Sequence, residues 1–166
     1  IGTGIGAGIL SGGRVVRGAH ELSGCAGWLV VTDTRNERTL TSGSLEALAA
    51  GPAVARLAGA RTAIDLAESA RRGDPRARQA FRQAGRLLGL AVANLINTLD
   101  PEVVVLTGGL TAAADLFLDD LRRAAIERGQ PLSAPQIDIV VSTLGGDANL
   151  LGAARIAFDE LEEGSS

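Results

Sequence analysis

Several residue types are rare or missing in this chain of 166 residues. It has no Lys, Met or Tyr, and only one Cys, one His and one Trp. A single Cys excludes an internal disulfide and a zinc–thiolate cluster. All 16 basic residues are Arg, which the codon bias of a G+C-rich genome explains better than a functional demand for guanidinium groups. Since acidic residues number 19 and the net charge is −3, we expect no nucleic acid to bind this segment.

Long apolar runs are also missing. The longest, residues 87–96, is interrupted by Asn94 and is too short to span a bilayer, and no signal peptide is visible. We therefore expect a cytoplasmic protein without a membrane partner. Hydrophobic residues at 46% and charged residues at 21% are typical of one globular domain. Because no Met precedes the opening strand, we expect that the chain is cut from a longer protein, whose other part holds half of the active site.

The first eight residues are unusually rich in glycine. Gly alternates with Thr, Ile and Ala from Gly2 to Gly8, and such a strand lets another group approach its backbone closely. Gly2, Thr3 and Gly4 offer backbone N–H groups and one hydroxyl that suit phosphate oxygens. The alternative is that these glycines only make tight turns.

The remaining patterns predict an antiparallel part followed by strand–helix units. A Gly12-Gly13 turn is typical of a hairpin, and Asp74-Pro75 is typical of the start of a long helix. The resulting β-β-β-α-β-α-β-α order is that of a ribonuclease-H-like, actin-like half-domain. The predicted strands are 2–10, 14–17, 28–32, 102–107 and 136–142; the predicted helices are 44–50, 53–58, 62–71, 75–99, 111–128 and 148–161, with a polar loop at 33–43.

Four ordered segments resemble the C-terminal two-thirds of ROK proteins, a family of sugar kinases and sugar-responsive transcriptional repressors. They are IGTGIGAGILSGGRVVRGAH, SLEALAAGPAV, AVANLINTLDPEVVVLTGGL and STLGGDANLLGAARIA. The resemblance implies an α/β fold, the larger C-terminal domain of an actin-like ATPase, with a mixed β-sheet and flanking helices. It implies a domain over residues 1–148 and a closing helix, 149–166, that packs on an N-terminal domain.

The resemblance also implies ligands. Nucleotide and sugar bind between the two domains of such proteins, with ATP as phosphoryl donor and Mg²⁺ in the complete protein, and a homodimer is common. The positions that match the nucleotide-binding loops are Gly2, Thr3, Gly4, Gly108, Gly109 and Leu110. We favour nucleotide loops over plain turns because both loops occur in family order.

The sugar and zinc motifs depart from the family. Kinases of the family carry Glu-x-Gly-His, where this chain has Cys25-Ala26-Gly27-Trp28, so both sugar-holding side chains are replaced. The His and three Cys that bind zinc in the family correspond here to Trp28, Glu37, Thr39 and Ser44. Because zinc needs N or S ligands in that arrangement, we expect no structural zinc and a metal-free loop at 33–43.

Single residues near these motifs leave alternatives open. Glu46 matches a third sugar-contacting acid of the family, but it also suits the first turn of a helix, where the dipole favours acids. We interpret Cys25 as a small buried residue rather than a reactive thiol, Trp28 as core or cleft-lining rather than a stacking platform, and His20 as a solvated loop residue. The Arg-rich stretch 71–78 is interpreted as solvated surface.

Two functions remain in competition. One is part of an ATP-dependent sugar kinase, and the other is the ligand-sensing domain of a ROK repressor. The resemblance places the catalytic base outside these residues, so we expect no catalytic residue here and no catalysis by the 166 residues alone. A last expectation concerns one apolar stripe, which we expect to be covered by self-association or by exchange of the helix onto a second copy. Its members are Leu150, Leu151, Ala154, Ala157, Phe158 and Leu161.

Overall fold

The structure is a computed structural model that describes residues 1–163, so the last three residues of the predicted closing helix 149–166 lie outside the described residues. In chain order, its strands and α-helices are β1 (Leu10–Ser11), β2 (Arg14–Val15), α1 (Glu37–Thr41), α2 (Ser44–Ala49), α3 (Gly51–Leu57), α4 (Ala63–Arg71), α5 (Pro75–Leu99), β3 (Val103–Leu106), α6 (Leu118–Arg128), β4 (Asp138–Val141) and α7 (Ala148–Glu163). Short 3-10 segments are Ala26–Trp28, Gly109–Leu116, Ala134–Gln136 and Gly145–Asp147.

The long helix α5 begins and ends where its sequence predicts. The Asp74 carboxylate accepts the Arg76 N–H at 2.9 Å, and Pro75 occupies the first helical position. Such an N-cap satisfies one of the backbone donors that a helix start leaves open. At the other end Asp100 adopts a left-handed conformation (φ 45°), and Pro101 follows.

Close packing of α5 against α6 forms the centre of the core. A Cβ atom at Gly85 or Gly89 would lie 2.4 Å from the carbonyl oxygen of Phe117 or Leu121 respectively. Only glycine lets the two helices approach this closely. Phe81, Phe117 and Leu121 are completely or almost completely buried around this contact. Ala residues dominate the rest of the core, consistent with tightly spaced helices.

Strands β3 and β4 form a parallel pair joined through α6. Their register runs from Val103 opposite Asp138 to Leu106 opposite Val141. Leu106 and Ile139 are buried, whereas Val103 and Val105 are exposed. One face of this pair therefore packs on the helices, and the ends of the strands lead into glycine-containing turns.

The antiparallel part is less regular than predicted. Only β1 and β2 pair at the Gly12-Gly13 turn, so the predicted strands 2–10 and 14–17 are too long. The predicted strand 28–32 is wrong, because a 3-10 turn ends at Trp28 and residues 28–32 form no strand. The Val31 N–H donates to the Ser44 hydroxyl at 3.3 Å, so the start of α2 takes a backbone donor that a strand ladder would need.

Two helical predictions also need correction. The polar segment 33–43 contains α1, because the Asn36 side chain accepts the N–H groups of Arg38 and Thr39 and starts a helix. The predicted helix 111–128 is divided into a 3-10 segment and α6, with non-helical backbone at Ala113. Within residues 1–163, no helix combines the length and the apolar character that crossing a bilayer requires.

Candidate functional site

The structure brings together the two glycine-rich loops that the sequence singles out. The Ile1 nitrogen donates to the Thr107 carbonyl, and the Leu110 N–H donates to the Ile1 carbonyl at 3.0 Å. A Cβ atom at Gly2 would lie 3.8 Å from the Gly109 nitrogen. Residues more than 100 positions apart in sequence thus form one continuous surface at the end of β3.

Gly108 is the residue that lets these loops meet. Its φ of 99° lies in the region that favours glycine. A Cβ atom there would lie 2.6 Å from the Ile1 carbonyl oxygen and 2.9 Å from the Ile1 nitrogen. Both the conformation and the space therefore require glycine at this position.

The joined loops present backbone groups rather than side chains. Thr3, Gly4 and Gly109 are exposed, whereas Leu110 is buried and anchors the second loop. Within residues 1–163 the N–H groups of Thr3 and Gly4 donate no hydrogen bond. Exposed N–H groups on a glycine-rich loop form a concave site that suits an anion such as a phosphate.

A buried hydroxyl lies at the same junction. Among the described side chains, Thr107 Oγ1 is the one buried nitrogen or oxygen atom without a hydrogen-bond partner. Leaving a buried hydroxyl unpaired costs on the order of 1–3 kcal/mol. An ordered water would satisfy this hydroxyl.

Glu46 connects the first loop to the segment that resembles the sugar motif. Its Oε2 accepts the Ile5 N–H at 2.8 Å. The same oxygen lies 2.8 Å from the Cβ position of Gly4 and 3.2 Å from that of Gly27. A side chain at either glycine would displace the carboxylate, so the two glycines and the helix start of α2 fix its position.

Cys25 and Trp28, which the resemblance places at the sugar contacts of the family, lie on the surface. Both are exposed, so the interpretation of Cys25 as buried is wrong. For Trp28, of the two alternatives core and cleft-lining, exposure excludes the core. Ala26 and Gly27 between them are buried, because the Gly27 N–H donates to the Ile5 carbonyl and holds this turn against the first loop. His20 is exposed, as predicted.

Hydrogen bonds hold the segment where family members have zinc ligands. The Thr39 hydroxyl accepts the Asn36 N–H at 2.9 Å and donates to the Asn36 carbonyl at 3.0 Å, and the Ser44 hydroxyl accepts the Val31 N–H. Glu37 lies in the first turn of α1. Among the side chains that the structure describes, no three His, Cys, Asp or Glu residues are grouped closely enough for a metal ion.

An ion pair between Arg71 and Asp115 connects α4 to the segment that continues the second loop. Arg71 of α4 donates to Asp115 Oδ1 at 2.6 Å, to Asp115 Oδ2 at 3.1 Å and to the Ala112 carbonyl at 2.9 Å. This hydrogen bonding to Arg71 lowers the pKa of Asp115. Arg71 thus has a structural contact that the interpretation of 71–78 as solvated surface missed.

Two cavities lie elsewhere. One, of about 410 Å³, is lined by α2, α3 and the first half of α5, and the other, of about 350 Å³, lies between α5 and α6. Neither includes a residue of the glycine loops. The candidate site is an open surface, since its features are exposed backbone and not an enclosed cavity.

Sequence patterns predict the candidate site residues, but two residues that contribute to the site, Thr107 and Gly27, are not among them. Thr107 continues the apolar strand 102–107 and has no local signal of its own. Gly27 belongs to the Cys25-Ala26-Gly27-Trp28 motif, but the sequence does not show its contact with Glu46. That contact depends on how α2 and the first loop are placed. Both contacts link segments far apart in the chain.

Comparisons with known proteins agree with this architecture. A sequence profile described as the ROK family matches residues 1–160. The bifunctional enzyme NanE/NanK of Brucella melitensis is 37% identical over 163 residues, which cover 95% of this chain and 29% of that protein. An N-acetylmannosamine kinase of Escherichia coli is 32% identical over 172 residues, which cover 96% of this chain and 55% of that protein.

Solved structures give the same result. The ROK hexokinase of Thermus thermophilus has a TM-score of 0.81 at 32% identity, and the match covers 98% of this chain and 56% of that one. A ROK glucokinase of Streptomyces griseus, in complex with glucose and AMPPNP, has a TM-score of 0.79 at 27% identity and covers 94% and 58%. A ROK transcriptional regulator has a TM-score of 0.76 at 27% identity and covers 85% and 40%.

The chain spans less than two thirds of the length of each of these relatives. The neighbouring sugar kinases have the actin-like ATPase fold, and this confirms the predicted α/β fold class. The profile match and the glycine loops at the end of β3 lead to one conclusion: the chain belongs to the ROK family.

Proposed function

We propose that this chain forms one side of an ATP- and sugar-binding cleft in a kinase-like ROK protein, and that these 166 residues are not catalytic by themselves. The observation that carries the proposal is the contact between the two glycine loops. That contact joins two loops in which Thr3, Gly4 and Gly109 are exposed, and Thr107 beside it has a buried hydroxyl without a partner within residues 1–163. The ROK glucokinase solved in complex with glucose and AMPPNP supports the choice of ligand.

The proposed roles follow from this geometry. The N–H groups of Thr3 and Gly4 bind phosphate oxygens, and Gly108, Gly109 and Leu110 shape the loop that receives the rest of the nucleotide. Mg²⁺ would coordinate the phosphate oxygens of bound ATP, because the described side chains offer no cluster that could hold it alone. Phosphoryl transfer depends on positioning and electrostatics around such a nucleotide. We propose a cytoplasmic location, where ATP is available.

Nucleotide binding tests this proposal directly. Isothermal titration of the chain with the ATP analogue AMPPNP should show weak binding. Replacing Gly109→Asp places a negative side chain in open space on the loop, and electrostatic repulsion should weaken binding by roughly tenfold or more. Gly8→Asp is the matched control, because its added side chain also meets open space but lies outside the site. Absence of binding, or an equal loss in both variants, would overturn the nucleotide assignment.

We propose that Glu46 keeps a sugar contact. Its Oε2 is held by Ile5 at the boundary between the phosphate loop and the Cys25–Trp28 turn, where a sugar hydroxyl would lie close to the transferred phosphate. Saturation-transfer NMR with glucose and N-acetylmannosamine should detect binding that Glu46→Ala removes. If Glu46→Ala lowers the melting temperature without changing sugar binding, its role is only to hold Ile5.

A ligand-sensing role is the second candidate. Cys25 and Trp28 stand where kinases of the family carry sugar-holding Glu and His, and both are exposed. A ROK transcriptional regulator matches the same structure. Sugar binding without AMPPNP binding would favour this candidate over the kinase-like one.

The division of the longer protein is also a proposal. Residues 1–148 form the C-terminal domain, and the helix 149–166 closes the fold against an N-terminal domain, with a homodimer formed through the larger domain. The exposure of residues 149–158 of α7 supports this division, because these residues are not part of the core of residues 1–148.

A further inference from the structure

The strand β4 has an outer edge that no other strand occupies. Within residues 1–163, β4 pairs with β3 alone. The Ser142 N–H, just after β4, donates to the Leu106 carbonyl of β3 at 2.8 Å. Because successive residues of a strand direct their backbone groups to opposite sides, the N–H and C=O groups of Ile139 and Val141 face away from β3. These groups therefore form the outer edge of the parallel pair.

An arginine of α6 occupies one acceptor of this edge. Arg122 donates to the Ile139 carbonyl through Nη2 at 2.6 Å and through Nε at 3.2 Å. The guanidinium group thus takes the place that the N–H of a neighbouring strand would have at this carbonyl. Ile139 is only 5% exposed, whereas Val140 beside it is 38% exposed. The arginine therefore closes the edge in the middle of β4.

The composition of the strand pair makes an open edge hazardous. Val103, Val105 and Val140 on its outer face are between 38% and 53% exposed, and β-branched residues of this kind favour extended strands. An exposed apolar edge strand is a template for pairing with another chain, and proteins commonly block such edges with charged side chains. The position of Arg122 on the Ile139 carbonyl has the character of such a block.

Pairing of two β4 edges would need the carbonyl that Arg122 occupies. If two copies met in antiparallel orientation about Val140, Ile139 of each copy would lie opposite Val141 of the other. The Ile139 carbonyl of each copy would then accept the Val141 N–H of the other. The arginine on that carbonyl opposes this bond in both copies. It would also bring two guanidinium groups to one edge, where like charges repel.

We propose that Arg122 prevents the β4 edge of this chain from pairing with the β4 edge of a second copy. The contact is autoinhibitory, because a side chain of the same chain holds the acceptor that the second copy would need. The homodimer proposed above therefore uses a different surface of the larger domain. Neither Arg122 nor β4 belongs to the glycine loops or contacts Glu46, so this role is independent of the nucleotide and sugar assignments.

Sedimentation equilibrium with matched variants tests this role. Arg122→Ala frees the Ile139 carbonyl and should lower the dissociation constant of self-association by roughly tenfold or more, equivalent to about 1.4 kcal/mol. Arg123→Ala is the control, since Arg123 is the next residue of α6 but donates to Asp120 of its own helix at 3.1 Å. The control removes the same charge, leaves the edge closed and should associate like the original chain. An unchanged dissociation constant for Arg122→Ala, or an equal change in both variants, would overturn the proposal.

A proline distinguishes edge pairing from a general loss of stability. The Val141 N–H faces away from β3, so Val141→Pro keeps the bonds between β3 and β4 but removes the donor that a second copy would use. Adding Val141→Pro to Arg122→Ala should restore the dissociation constant of the original chain. If the double variant associates as tightly as Arg122→Ala, another surface holds the copies together and the proposal is wrong.

Amide exchange followed by NMR locates the contact. In Arg122→Ala, protection of the Val141 amide should rise with protein concentration, whereas that of Val140, which bonds to β3, should stay constant. Arg122→Gln, which removes the charge and shortens the side chain, serves in both experiments if Arg122→Ala does not fold, and it should also associate more tightly than the original chain. Association without added protection of Val141 would overturn the assignment to this edge.

Discussion

At the scale of single residues, Gly108 is the position with the clearest requirement. Its positive φ and its distance of 2.6 Å from the Cβ position to the Ile1 carbonyl oxygen both exclude a larger side chain. We expect Gly108→Ala to lower the free energy of unfolding by more than about 1 kcal/mol, because the backbone must shift as well as adopt a strained conformation. Urea denaturation followed by circular dichroism measures this change.

The neighbouring glycine provides the control. At Gly109 an added Cβ atom meets nothing within 4 Å, so Gly109→Ala should leave the unfolding free energy within about 0.5 kcal/mol of the original. Equal destabilisation by the two changes would mean that loop flexibility in general is required. In that case the contact between Gly108 and Ile1 would not be the cause.

Residue-scale predictions from the sequence were correct where local chemistry decides the outcome. Asp74, Pro75 and Asp100 mark the ends of α5 because capping and proline geometry act within a few positions. The exposure of Cys25 and Trp28 was not predictable in the same way. It depends on the Gly27 N–H bonding to the Ile5 carbonyl, a contact between distant segments that directs the two flanking side chains outward.

At the scale of elements, the Arg71–Asp115 pair ties α4 to the 3-10 segment after β3. The hydrogen bonds from Arg71 lower the pKa of Asp115 below its ordinary value of about 3.8. The folded state therefore favours the ionised carboxylate. This stabilisation is fully present above pH 3.8 and is lost as the pH falls through the lower pKa of the folded state.

We expect Asp115→Asn to remove that part of the acid sensitivity. Both side chains are about half exposed, at 47% and 55%, so solvent screening limits the effect to less than about 1 kcal/mol. Urea denaturation at a series of pH values below 5 should show a shallower loss of stability in the variant. Asp33→Asn, at an exposed loop position, is the control and should follow the original profile. A variant profile that matches the original would show that the ion pair does not couple to folding.

Several helices were predictable from the sequence, whereas the antiparallel strands were not. The apolar spacing and caps of α2, α4 and α5 are local, and the structure has these helices at the predicted positions. In the first eight residues the backbone donors and acceptors bond instead to the side chain of Glu46 and to the backbone of Gly24, Gly27 and Gly51. A strand needs a partner strand, and no pattern within the segment shows which partner it will find.

The contact between the two glycine loops, on which the candidate site depends, joins residues that lie far apart in the sequence. The glycine pattern showed which residues could accept a close neighbour, and the family resemblance implied that both loops serve one ligand. Neither showed that the Leu110 N–H bonds to the Ile1 carbonyl or that Thr107 Oγ1 lacks a partner. These facts depend on how β3 ends relative to a segment more than 100 residues earlier.

At the scale of the whole molecule, burial is distributed very unevenly. Helix α5 contains ten buried residues and packs against α2, α3, α4 and α6, whereas residues 149–158 of α7 are all exposed. Opening of a segment is opposed mainly by the apolar contacts it must break. The two helices should therefore differ widely in local stability although both are long.

Hydrogen exchange measured by mass spectrometry tests this difference. Peptides covering residues 81–96 should exchange their amides slowest, because opening them requires separation of α5 from α6 and disruption of the buried contacts of Phe81 and Ile96. Peptides covering residues 148–161 should exchange fast in dilute solution, since an isolated helix of this length is marginally stable in water. If self-association covers α7, its protection should rise with protein concentration while that of residues 81–96 stays constant. Protection of α7 that is high and independent of concentration would mean that the helix packs within its own chain, and the exposed stripe would then need no partner.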